Sequence, residues 1–112
     1  LGVALAEIAM GGPYQQTGFG ADLDLTGYAS GLDAADLLFS ESHGRAVVTC
    51  SPEKTAAVEQ LAQRSRIPVY DAGMVKAPNE TFALRLRDGL ISQTVAALRE
   101  VYFSAIPKRM GD

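Results

Sequence analysis

Residues 81–87, TFALRLR, followed by Asp88-Gly89, constrain this chain more than any other stretch. Apolar and polar residues alternate with period two, so Phe82, Leu84 and Leu86 share one face of an expected half-buried strand. Asp-Gly is a strong signal for a tight hairpin turn, and Leu90 and Ile91 begin the return strand. Ser92 or Thr94 then stands where a helix cap is needed. In the helix that follows, Val95, Leu98, Val101 and Tyr102 recur at helical spacing, and Pro107 is expected to end it. A strand pair with a helix behind it commits this end of the chain to a sheet covered on one face.

The upstream segments extend that sheet. Leu1, Leu5 and Ile8, with Ala4 and Ala9, mark a helix that Gly11-Gly12-Pro13 stops. The chain opens inside this helix without a cap, an opening expected of a fragment. Residues 11–20, GGPYQQTGFG, read as a flexible connection; with no lysine at the required place, a phosphate-cradling loop is the weaker alternative. Residues 21–26 alternate, with Leu23 and Leu25 on one face. Ser30, with Asp33 three residues on, is expected to cap a short helix over 32–39. Residues 45–50, RAVVTC, carry the β-branched Val47, Val48 and Thr49 and predict a strand. Ser51-Pro52-Glu53 opens a helix whose buried stripe is Ala57, Val58, Leu61 and Ala62. Residues 68–70 and 74–75 are strand-like around a bend at 71–73, and Pro78-Asn79-Glu80 makes a turn. The fold expected is α+β: a mixed or antiparallel sheet packed with helices, partly ferredoxin-like, with 1–112 as a single domain.

Composition narrows the function. Ten basic and thirteen acidic residues give a net charge of −3. The basic residues are scattered, so no footprint for a nucleic-acid partner is present. No apolar run approaches the roughly 20 residues that span a bilayer. The opening LGVALAEIAMGG has no positive flank and is interrupted by Glu7, so it is not read as a targeting segment. The single cysteine, Cys50, excludes an internal disulfide, has no metal-site neighbours and fits a reducing cytoplasm. At a strand-to-helix junction it is either a thiol of lowered pKa or, by preference, a small core hydrophobe. Asp22 and Asp24 share a strand face without a third acid at metal-ligand spacing, and read as surface acids.

The chain's only histidine lies in LFSESHGRAVVTC, residues 38–50. His43 follows Ser40 by three residues and Ser42 by one, yet no nucleophile elbow or distant acid completes a triad. Glu41 and His43 alone are too few for a metal. Two readings remain. In one, His43 and Arg45 are surface groups on a turn, or Arg45 pairs with Glu41. In the other, the serine hydroxyls and turn N–H groups hold a phosphate or hydroxyl.

The order of LGVALAEIAMGG, LFSESHGRAVVTCSPE, IPVYDAGMV and the terminal LREVYFSAIPKRM resembles the end of the phosphoribosylformylglycinamidine synthase family, the large synthetase of purine biosynthesis related to aminoimidazole ribonucleotide synthetase. The most specific element is LFSES-x-x-R-x-x-V with SPE behind it. The family's Asp-Gly-Gly helix start does not occur before Leu1. The resemblance implies most of the carboxy-terminal α/β domain in the second of two homologous halves. The parent reaction uses ATP to phosphorylate the amide oxygen of formylglycinamide ribonucleotide, which glutamine-derived ammonia then displaces. In the first half a Glu-Ser-Gln stretch helps bind substrate, and the matching positions here are Glu41, Ser42 and His43, so the third departs. The ending AIPKRM points to the second half, where Glu41, Ser42, His43 and Arg45 are structural or line an auxiliary nucleotide site. Catalytic histidines and magnesium-binding acids lie in other domains of that family. The resemblance therefore implies no catalytic residue and no cofactor in this chain, with ATP and Mg2+ serving the whole enzyme. The partners it implies are the remaining synthetase domains, a glutaminase and small accessory subunits, in the cytoplasm. The strand–helix–strand–strand–helix order also suits a regulatory amino-acid-binding module of ferredoxin-like type, and a protein-interaction domain is the third alternative.

Overall fold

A computed structural model describes residues 1–29 and 31–111, so the expected cap at Ser30 lies outside the described residues. The elements run α1 (Gly2–Met10), β1 (Phe19–Asp24), α2 (Ala34–Phe39), a 3-10 turn (Pro52–Lys54), α3 (Thr55–Arg64), β2 (Gly73–Pro78), β3 (Thr81–Leu86), β4 (Gly89–Thr94) and α4 (Val95–Met110). The strands form one mixed sheet in the order β2-β1-β3-β4. β1 pairs antiparallel with β2 and parallel with β3, while β3 pairs antiparallel with β4. The fold is α+β, as expected.

The hairpin is built as the alternation predicts. Leu86 pairs with Gly89, so the two turn residues are Arg87 and Asp88. Phe82, Leu84 and Leu86 all face the core. Leu5 and Ala9 of α1, Leu37 and Leu38 of α2, and Val95 of α4 close over that face, with Ala21 and Leu25 beside them. Leu84 and Val95 are the most completely enclosed side chains.

Each covering helix is held at a defined point. Asp33 caps α2 by accepting from the Asp36 N–H at 2.8 Å. Thr94 caps α4, accepting from the Ala97 N–H at 3.1 Å. Ser92 cannot do so, because it sits within β4 opposite Ala83. Thr94→Ala should therefore lower stability by about 1 kcal/mol, read by thermal melting; an unchanged melt would remove Thr94 from that role. Arg99 joins α4 to the end of α1: it donates to the Met10 carbonyl and, at 2.6 Å, to the Gln15 carbonyl, with its guanidinium over Phe103. Tyr102 donates to Glu7 at 2.6 Å, which pushes the phenol pKa up.

Several expectations are corrected. Residues 45–50 form no strand, and Val48 is 69% exposed. β-propensity describes fitness for a pleated, half-buried surface, and no ladder reaches these residues. Residues 68–70 likewise stay outside the sheet. α3 buries none of its residues, and Leu61, expected in its buried stripe, is 65% exposed. Tyr70 anchors the end of this segment by stacking edge-on against Tyr28 and donating to the Asp24 carbonyl at 3.0 Å. The radius of gyration, 15.5 Å, exceeds the roughly 13 Å of a compact domain of this size. Cys50 is exposed rather than in the core. Pro107 lies inside α4, and Val101 faces outward. Residues 25–26, expected to finish β1, lie beyond its end.

Candidate functional site

The 38–50 stretch runs out of α2 and folds back against α1. Leu37 and Leu38 anchor the last turn of α2 in the core, and Ser40 caps it with its N–H on the Asp36 carbonyl at 3.1 Å. Leu38 also accepts from the Leu1 nitrogen at 3.0 Å, which fixes the start of α1 beside the polar cluster. The chain turns at His43-Gly44, where Gly44 takes φ +79°, a conformation that suits glycine. Arg45 then reaches back and donates to the Ser40 carbonyl at 3.1 Å. This closes residues 40–45 into a small loop.

The loop rims a hollow of about 400 Å³, which brings the four candidate residues Glu41, Ser42, His43 and Arg45 together with Ser40. Its floor is apolar: Leu1 just before α1, Ala4 and Ile8 within it, and Val47. Glu41, Ser42 and His43 are exposed, whereas Ser40 and Arg45 are half-buried. The Ser40 and Ser42 hydroxyls approach to 3.5 Å. Among the described residues His43 hydrogen-bonds neither serine, so no nucleophile–base pair is assembled. Arg45 engages a backbone carbonyl rather than the Glu41 carboxylate. Hydroxyls, a carboxylate and an imidazole around an apolar floor can contact and orient a polar ligand. His43→Gln should leave the melting temperature unchanged within about 0.5 kcal/mol of stability, because the ring is exposed; unfolding would make His43 structural.

The apolar floor is absent from the candidates found by reading the polar motif. Its signal is a second apolar face of α1. Leu5 and Ala9 enter the core, while Leu1, Ala4 and Ile8 follow a helical line one face over, and Ile8 is 51% exposed. The acids of β1 lie elsewhere. Asp22 pairs with Arg85 at 2.9 Å. The Asp24 carboxyl is held below the ordinary carboxylate range by the Thr26 hydroxyl at 2.6 Å, then by the Thr26 N–H, with Arg85 adding to both. Among the described residues no three His, Cys, Asp or Glu side chains gather as a metal site. Among the described residues no helix is long and apolar enough to cross a membrane.

The profile of the family described as "AIR synthase related protein, C-terminal domain" matches residues 1–84. The protein named phosphoribosylformylglycinamidine synthase subunit PurL from Thermobifida fusca is 39% identical over 112 residues, all of this chain and 13% of its own length. Proteins of that name from Methanobrevibacter smithii and Synechocystis sp. are 34% and 35% identical over 98% of this chain, in each case 14% of their length. The chain thus spans about one-seventh or less of the curated relatives it matches. No solved structure matches.

Proposed function

The chain belongs to the AIR synthase related protein, C-terminal domain family, and from that premise we propose that it is one carboxy-terminal domain of a phosphoribosylformylglycinamidine synthase subunit. The observation that carries the proposal is similarity from end to end: all 112 residues align with the Thermobifida fusca subunit at 39% identity. The whole enzyme then converts formylglycinamide ribonucleotide, ATP and glutamine-derived ammonia to formylglycinamidine ribonucleotide, ADP and phosphate. It works in the cytoplasm with a glutaminase and small accessory subunits.

Within that enzyme the role of this domain is support and positioning. Glu41, Ser42, His43 and Arg45 form the rim of a substrate or auxiliary nucleotide site, held in shape by the Arg45–Ser40 contact. Magnesium and the phosphates it accompanies are read as held by other domains of the enzyme, as the resemblance implies. The uncovered apolar side chains of the α3 segment, Val48, Leu61, Ile67 and Val69, are the surface against which the remaining synthetase domains pack.

The reading is tested by supplying the isolated chain with formylglycinamide ribonucleotide, ATP and ammonia. No ATP-dependent amidine formation is expected. Clear turnover would contradict a supporting role.

A further inference from the structure

The two edges of the sheet differ in a way that points to a partner. The β2 edge is blunted: it carries Lys76 and Pro78, and its pairing with β1 shifts register between Phe19 and Ala21. The β4 edge has none of these devices. Its sequence GLISQT contains no charge and no proline, its six residues are all exposed, and Leu90 is 60% exposed. Beside it an apolar groove of about 340 Å³ runs between α2 and the hairpin, lined by Ala34, Leu38, Phe39, Leu86, Leu90 and Ile91. Phe39 overhangs this groove with 65% of its surface exposed.

We propose that β4 is a self-association edge, on which a second copy of this chain adds its own β4 antiparallel to form a continuous eight-stranded sheet. An open strand edge is satisfied by another strand, since its outward N–H and C=O groups need a matching ladder. Leu86 and Gly89 flank the two-residue turn as a hydrogen-bonded pair, so Gly89, Ile91 and Gln93 direct their backbone groups to β3. Leu90 and Ser92 direct theirs to the free edge.

Charge is compatible with a second copy. A two-fold axis perpendicular to the sheet places a residue opposite its own copy, so a charged strand centre would face itself and be repelled. Uncharged β4 has no such penalty. With Ile91 on the axis, Leu90 lies opposite Ser92 of the second copy, and the two Phe39–Ile91 grooves join. Asp88 then comes opposite Thr94 of the second copy, at the amino end of an α4 whose first turn contains no acidic residue.

Sedimentation equilibrium on the 112-residue chain, from micromolar to sub-millimolar concentration, should show a reversible dimer. Ser92→Pro removes an outward N–H and should weaken association at least about tenfold. The double variant Cys50→Ser/Ile91→Cys should form a symmetric disulfide dimer on oxidation, because facing residues of a non-hydrogen-bonded antiparallel pair lie within disulfide reach. This cross-link decides the matter if Ser92→Pro disturbs the fold. A monomer at every concentration, as expected if other domains cover β4, would overturn the proposal. So would failure of the Ile91→Cys variant to cross-link.

Discussion

Leu84→Ala should lower the unfolding free energy by about 3–4 kcal/mol, the range expected when a fully enclosed leucine is truncated and its cavity is only partly refilled. Leu84 is 2% exposed, on the central strand β3, and packs between the covering helices and its neighbours on β1 and β4. For a domain of this size such a loss corresponds to a melting temperature lower by roughly 12 °C or more. The same substitution at Leu61 removes the same atoms from an exposed helix face and should cost less than about 0.5 kcal/mol. The pair of thermal melts therefore locates the core. Equal losses at both positions would mean that α3 packs against the sheet in solution.

Gly73→Ala should cost about 3 kcal/mol for a different reason. Gly73 begins β2 with φ +135°, a backbone conformation that L side chains rarely adopt. It also pairs with Leu23 so closely that an added Cβ would collide with the Asp22 carbonyl oxygen. That obstacle is backbone on a central strand, so it cannot swing aside; β2 must shift or detach from β1. Gly89→Ala is the matched control. Gly89 also begins a strand, but its φ is not positive and nothing lies within 4 Å of its built Cβ. Denaturant unfolding should separate the two variants, and a Gly73→Ala chain as stable as Gly89→Ala would show that this approach is relaxed in solution.

The parts of the fold legible in the sequence are those whose signal is local. The period-two pattern of β3 and its tight turn depend on neighbours a few residues away; the pattern is built as expected, and the turn forms one residue before Asp88-Gly89, at Arg87-Asp88. The cap of α4 behaves in the same way, with Thr94 satisfying an orphan N–H of its own helix, whereas Asp33, expected as the box partner of a Ser30 cap, is itself the N-cap of α2. Residues 45–50 show the limit of such reasoning. Val47, Val48 and Thr49 are good strand formers, but a strand exists only where a ladder meets it. The amphipathic pattern of α3 likewise says that a face can be buried, not what buries it.

The candidate site divides along the same line. Its polar rim was legible as a cluster in sequence, and the resemblance marked the same residues. Its apolar floor was not, because Leu1, Ala4 and Ile8 carry a helical spacing indistinguishable from a core stripe. Only the path of residues 40–47 beside α1 decides that these side chains border a hollow while Leu5 and Ala9 enter the core. Arg99 was equally hidden, since its two carbonyl partners lie more than eighty residues earlier in the chain.

The central claim, that this chain serves as the carboxy-terminal domain of a purine-forming synthetase, is tested most directly by exchange. The matched segment of the Thermobifida fusca subunit is replaced by this chain, and ATP-dependent amidine formation is measured on the purified chimera. The account predicts that the chimera retains the activity. A folded, soluble chimera with no activity, when restoring the subunit's own segment brings activity back, would contradict it.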